Sequence, residues 1–463
     1  MTRRLARHLA GVRYADLPDG AVRAAKRSLL DAIGVSLGAS GLEPACAAFA
    51  ELAAEQTGPC TILGFAQRSS PTMAAFANGA LAHALDFEDA YDGAPAHPNA
   101  APVPVALALA ERDPGITGQE LICALASGCD LVCRLALALE QNPDVYGFYP
   151  PPILAAFGAA ATAAKLLRLD EDRIVAALAL TLLQTTFSSQ WKRDPHSTVR
   201  AVRDAFPAKA GLTAALLAAR DVTGFEAAIE GEHGLYGLYA RGAYDPAILL
   251  DGLGERFAGE RVSFKPWPSC RGTHAFIEAA LQLRERSGSI VRERSGSIDR
   301  TDKIEARGAP LNRMLMEPDA QKRMPSTAID AKFSLPFCLG LALTRGAVTL
   351  DDFAPEQLAN PDTLAIAARV SYSELPGAGM REATQGELTL WLRDGTRLDQ
   401  RVERPLGHPD NPLDDAALIA KFIDCAGRAR VPLAQERARR AAEVLFGIER
   451  EASAQTALQG LFD

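Results

Sequence analysis

Apolar positions recur at helical spacing through most of the chain. Val22, Ala25, Leu29, Ile33 and Leu37 line one face of a predicted helix over Ala21 to Leu37. Leu17-Pro18-Asp19-Gly20 separates it from a first amphipathic helix, so residues 3–38 read as two helices. Residues 43–57 continue as an Ala-rich helix, and Thr61 to Gly64 is short and β-like. Between 71 and 240 the same pattern predicts packed helices, clearest over Gly118 to Leu139, Ile153 to Leu167, Arg173 to Thr185 and Pro207 to Arg220. Small residues dominate these segments, which lets helix axes approach closely.

Near residue 265 the period changes. Lys303 to Arg307, Ala365 to Val370 and Glu387 to Leu392 read as strands, and Asp394-Gly395 as a hairpin turn into Arg397 to Val402. Helices over Arg271 to Arg286 and Ala331 to Leu343 lie among them. Pro412 to Phe446 returns to helix. The predicted fold is mainly α: a large all-helical domain in two pieces, 1–265 and 405–463, around a smaller α+β domain at 266–404. A length of 463 residues fits two cores better than one.

Composition narrows the function classes. Hydrophobic residues at 48% and charged residues at 23% describe an ordinary globular protein. A net charge of −8 argues against nucleic acid or an anionic membrane surface as partner. An anionic ligand would need a local cluster of Lys, Arg or His. The eight cysteines are scattered without a C-x-x-C pair, which suits a reducing cytoplasm and gives no metal framework. Cys129 and Cys133 read as small packed hydrophobes. The basic start, MTRRLARHLAGVRY, lacks the apolar run of a secretory signal and reads as the first helix. No apolar stretch is long enough to span a membrane. The segment RERSGSI occurs at 284–290 and again at 292–298, a local duplication too short for a solenoid repeat. No dinucleotide, P-loop or H-E-x-x-H signature is present.

The chemistry concentrates in 78–111. An apolar helix containing Ala80, Leu81, Ala84 and Leu85 runs into Asp86, Glu88, Asp89 and Asp92. A turn with His97-Pro98-Asn99 follows, and a second helix begins near Ala101 to Val105. Helix termini leave backbone groups free for a ligand. A histidine suits proton transfer near neutral pH, though His97 also reads as a loop residue that shapes a turn. His83, three positions before Asp86, reads as structural. Lys209 opens a helix too apolar to need a solubilising charge; it reads as a carboxylate clamp or as a lysine reaching out to water. Arg200 and Arg203 precede it and add positive charge. Gln190 to His196 reads as a solvated connection or, alternatively, as a substrate-specificity loop. In Lys265 to His274, Arg271 and His274 open a helix and bind an anion or cap the fold, while Cys270 reads as a packed small residue or a thiol.

These segments resemble the MmgE/PrpD family, which includes 2-methylcitrate dehydratases, cis-aconitate decarboxylases and iminodisuccinate epimerases. The likeness is carried by Asn78-Gly79, Ala82-His83, Asp86-Phe87-Glu88-Asp89 and His97-Pro98, and by Lys265 to His274 as a match to K..PSC..TH. It extends over nearly the whole chain. It implies that the α+β part is a lid, with the active site between it and the helical domain. It also implies a homodimer and a cofactor-independent reaction. The roles that follow are proton transfer by His97 steered by Asp86, an acid at Tyr149, and carboxylate binding by Lys209 and Lys265 with Arg271. Arg203, Cys270 and His274 would add substrate contacts. Three positions depart from characterised members. Tyr149 replaces the histidine of a Gly-Phe-His segment, Phe337 lies where the decarboxylases carry a tyrosine nearby, and Ala90 replaces a threonine. Tyrosine, with an ordinary pKa of about 10, suits an acid or oxyanion donor. The expectation is therefore a lyase that abstracts a proton next to a carboxylate of a small di- or tricarboxylic acid and eliminates water. Epimerisation and decarboxylation are alternatives, as is a non-catalytic carboxylate binder.

Overall fold

A computed structural model describes residues 1–194, 197–286 and 301–461, the Arg381 side chain excepted. His196 and all but the first three residues of the RERSGSI duplication lie outside the described residues. The chain divides into two compact units, Met1–Phe264 with Asp414–Asp463, and Lys265–Leu413.

The first unit is built of helices that approach closely at small residues. Gly118–Leu137, Pro150–Leu166 and Ala205–Ala218 pack together, with Glu171–Leu182 against the last two. At Gly211 an added Cβ would meet Ala156 O and Ala160 N, each at 2.6 Å, so only glycine permits that helix contact. Capping sets the helix starts. Thr117 and Glu120 form a reciprocal box ahead of Gly118, and the Asp170 carboxylate accepts from Arg173 N, which moves that helix's start to Glu171. The helix expected over 21–37 runs from Asp19 to Leu42. The C-terminal segment returns as Asp415–Gly427 and Gln435–Phe446, and the first of these packs along Asp19–Leu42. Among the described residues no single helix is long and apolar enough to cross a membrane.

The second unit holds a four-stranded mixed sheet in the order Val370–Glu374, Thr301–Gly308, Gly386–Leu392, Arg397–Val402. The first pair is parallel and the other two are antiparallel. Helix His274–Arg286 covers its last two strands. Two expectations are corrected here. Residues 365–367, read as strand, end the helix Pro361–Ala367, and the strand begins only at Val370. The Asn360 side chain accepts from Asp362 N and Thr363 N, and Pro361 presets the first turn; this local cap outweighs the β pattern. The helix expected over 331–343 is two, Ala328–Lys332 and Leu335–Arg345. Ser334 restarts it by accepting from Phe337 N, with Pro336 in the new first turn.

Candidate active site

Helix Pro71–His83 delivers the first histidine. Asn78 ties this helix to the short segment before it, accepting from Leu63 N and donating to Thr61 O at 2.9 Å each. At Gly79 an added Cβ would lie 2.6 Å from Asp204 O, so glycine lets the helix settle on the Arg203–Asp204 corner. The helix stops at His83. Asp86 N bonds to His83 O at 2.8 Å, and Asp86 adopts a left-handed φ of 48°, a conformation aspartate tolerates better than most residues. That reversal folds the acidic run back over the helix end. Ala90–Tyr91 then pairs with Val262–Ser263, Tyr91 N bonds to Ala96 O at 3.0 Å, and the chain comes back with His97.

The product is a compact cluster. Suitable donor atoms of His83, Asp86, Glu88 and His97 all lie within 4.8 Å of one another. Glu88 is its hinge: Oε1 lies 2.7 Å from His97 Nδ1 and is hydrogen-bonded to His83 Nδ1. The two imidazoles meet edge to face with centroids 4.8 Å apart. His97 Nδ1 also lies 3.2 Å from Asp89 O. His83, Asp86 and Glu88 are buried, and the His97 side chain keeps 15% exposure. With Nδ1 turned to a carboxylate, Nε2 is the basic nitrogen of His97.

Arg203 closes the cluster from the other side. Its guanidinium is fully buried, 3.3 Å from Asp204 Oδ2 and 3.5 Å from His83 Nδ1, and lies 5.1 Å over the Tyr149 ring. Burial opposes its charge, but Tyr149, Asp204, Asp86 and Glu88 together hold it above its ordinary value. Burial, helped by Arg203, pushes the His83 imidazole below its ordinary value despite Glu88 and Asp204. Burial raises the Asp89 carboxyl to about 6, although Asn99 at 2.6 Å and Ser28 at 2.7 Å both donate to Oδ2.

Two imidazoles and two carboxylates are chemically suited to a metal ion. Their spacing is not. Ligands about 2 Å from a tetrahedral ion stand about 3.3 Å apart, whereas Glu88 Oε1 is within hydrogen-bond reach of both Nδ1 atoms. A buried guanidinium against the same ring adds repulsion. The geometry is that of shared protons.

The remaining expected residues are spread out. Tyr149 is half-buried and joins the cluster through Arg203. Lys209 sits one turn into Ala205–Ala218; its side chain is exposed, with Nζ 5.2 Å over the Phe76 ring. Lys265, Cys270, Arg271 and His274 belong to the second unit. Lys265 is fully buried. Arg271 donates to Leu406 O at 3.0 Å and approaches His274 Nδ1 at 3.3 Å, while His274 Nε2 lies 3.2 Å from Ser269 O. Cys270 is partly exposed, and its N–H bonds to Lys332 O at 3.0 Å.

Over this geometry the sequence matches two domain models, the MmgE/PrpD N-terminal domain across residues 3–246 and the MmgE/PrpD C-terminal domain across 267–446. The chain belongs to the MmgE/PrpD family. Family relatives include the cis-aconitate decarboxylase of Mus musculus, 27% identical over 91% of this chain and 86% of that protein. The Homo sapiens cis-aconitate decarboxylase is 26% identical over 91% and 87%, and that of Aspergillus terreus strain NIH 2624 is 24% identical over 89% and 86%.

Sequence reasoning read His83 as structural and named Glu88 only as one of an acidic cluster. Both lie in the stretch that carries the family resemblance, where Glu88 stands at an aspartate of the pattern, but only the reversal at Asp86 reveals that Glu88, two positions on, bridges the histidines. It also read 190–196 as wet connection. Gln190–Arg193 is a 3-10 turn whose Lys192 is largely buried, 2.9 Å from Asp144 Oδ1 and 4.4 Å over the Tyr149 ring.

Proposed function

We propose that this chain is a cofactor-independent lyase that moves a proton at the carbon next to a carboxylate of a small di- or tricarboxylic acid. The observation that carries the reading is Glu88 Oε1 at 2.7 Å from His97 Nδ1, with His97 the one member of the four-residue cluster that reaches solvent. Glu88 fixes the imidazole and stabilises the imidazolium formed when Nε2 accepts the proton. Breaking the C–H bond leaves enolate-like charge, for which Arg203 is the buried cation next to the cluster. Lys209, Lys265 and Arg271 are the further carboxylate-binding groups that the family resemblance suggests.

In the first form of the reaction the electron pair forms a C=C bond, the β C–O bond breaks, and the departing hydroxyl takes a proton from Tyr149 to leave as water. The names of the relatives support a second form, in which C–C cleavage releases CO2 and the carbanion takes a proton from the cluster. Homodimerisation is part of the proposal and is read by sedimentation.

The test is NMR in D2O with 2-methylcitrate, citrate, cis-aconitate and iminodisuccinate. Deuterium should enter a carbon next to a carboxylate, and the product separates elimination, decarboxylation and epimerisation. His97→Ala should abolish exchange with the circular dichroism spectrum unchanged. Exchange at the wild-type rate in that variant rules out His97 as the proton carrier.

A further inference from the structure

Beyond the cluster, three cations lie on two aromatic rings. Lys192 Nζ is 4.4 Å and the Arg203 guanidinium 5.1 Å over Tyr149; the Arg200 guanidinium is 4.8 Å over Trp191. The rings meet edge to face at 5.1 Å. Arg200 and Arg203 are buried, and Lys192 keeps 18% exposure. Burial pushes the Lys192 ammonium below its ordinary value, with Asp144 pulling the other way. A protein of net charge −8 has gathered positive charge at one point, next to the groups expected to handle an acid.

Trp191 also lines a hollow. A cavity of about 410 Å³ runs between the start of helix Pro150–Leu166 and helix Ala205–Ala218. Ile153, Phe187, Trp191, Phe206, Pro207 and Ala210 form its apolar wall. Its volume falls within the range of small-molecule sites and exceeds what a methyl group fills. Trp191 Nε1 is buried without a hydrogen-bond partner. The Trp191 indole both lines this cavity and carries the Arg200 guanidinium over its ring.

Resting on the carboxylic-acid reading above, we propose that this recess is the specificity subsite, and that it takes an acid carrying an aliphatic arm longer than methyl. A carboxylate is held by Arg200 and Lys192 at the Trp191 edge, and the arm enters the cavity. The arrangement joins continuously to the proton-transfer cluster through Arg203, which touches both Tyr149 and His83. A bare tricarboxylate would leave the cavity to water.

Calorimetry on the full chain with unreactive acids tests this independently of turnover: succinate, 2-methylsuccinate, 2-butylsuccinate and 2-hexylsuccinate. Affinity should rise up to about fourfold per methylene group through butyl. Arg200→Gln should weaken all four by about tenfold, leaving the chain-length slope intact. Ala210→Phe, which fills the cavity, should flatten the slope. Phe206→Ala opens the wall at a half-exposed position and should flatten it too, with circular dichroism checking that the fold is kept. Equal affinity for succinate and hexylsuccinate overturns the proposal, as does a slope that survives both cavity variants. A cavity variant that shifts sedimentation without changing the slope assigns the recess to a second copy of the chain and also overturns it. Loss of deuterium exchange with all acids, beside an intact slope, would sink the proton-transfer reading alone.

Discussion

Lys421 donates to the main-chain carbonyl of Phe87 across 2.6 Å and lies 3.9 Å over the ring of that same residue. Its ammonium also pairs with Asp31 Oδ1 at 2.7 Å, with both side chains buried. One lysine on the C-terminal helix therefore holds the reversal between Asp86 and Glu88 from outside. Lys421→Met leaves Asp31 without this cation and the loop without its tether. Breaking a buried pair of this kind costs about 3–5 kcal/mol. The melting temperature should fall, and kcat should fall with little change in KM, because the proton-transfer cluster is displaced rather than the binding groups. Lys421→Arg should recover part of kcat. A variant with lower stability and full kcat would show that Lys421 only packs.

Glu88 Oε1 is in hydrogen-bond contact with both imidazoles. Glu88→Gln keeps the shape and removes the charge that stabilises an imidazolium at His97. Rate losses on the order of 10²-fold or more are typical when a general base loses such support. Steady-state turnover of whichever acid exchanges deuterium is the measurement, and kcat within twofold of wild type would refute the assignment.

Asp89 supplies a pH signature. Its carboxyl is raised by burial from 3.8 to about 6. Between those values the folded chain keeps the proton and the unfolded chain releases it, so rising pH removes stability across that window. The loss amounts to about 3 kcal/mol once the pH is above 6. In Asp89→Asn this dependence disappears. Melting temperature of variant minus wild type should therefore climb from pH 4 to pH 7 and then level off. Parallel melting curves across the range would contradict a raised Asp89.

Much of this was readable from residue types and spacing. The small-residue helices were visible because nothing larger would let their axes meet, as at Gly211. The stretch from Asn78 to Asn99 stood out because carboxylates, a histidine and two helix ends coincide there. What an acidic run cannot disclose is which carboxylate turns inward. That is decided by one left-handed residue, Asp86, which sends Glu88 under both rings. The basic loop at 190–193 looked solvated because its partners, Tyr149 and Asp144, lie more than 40 residues upstream. The strand misread at 365–367 was lost to an asparagine cap just before it, a local interaction stronger than a short β pattern.

The tether at Phe87 joins residues 334 positions apart. A ribosome makes the loop of Asp86 and Glu88 early and the helix of Lys421 near the end. Throughout translation the two histidines wait beside a loop whose outer fastening does not yet exist. On the proposed reading, proton chemistry is a property of the chain carried through that helix: a nascent chain stalled before residue 421 would hold the cluster's residues without their outer fastening.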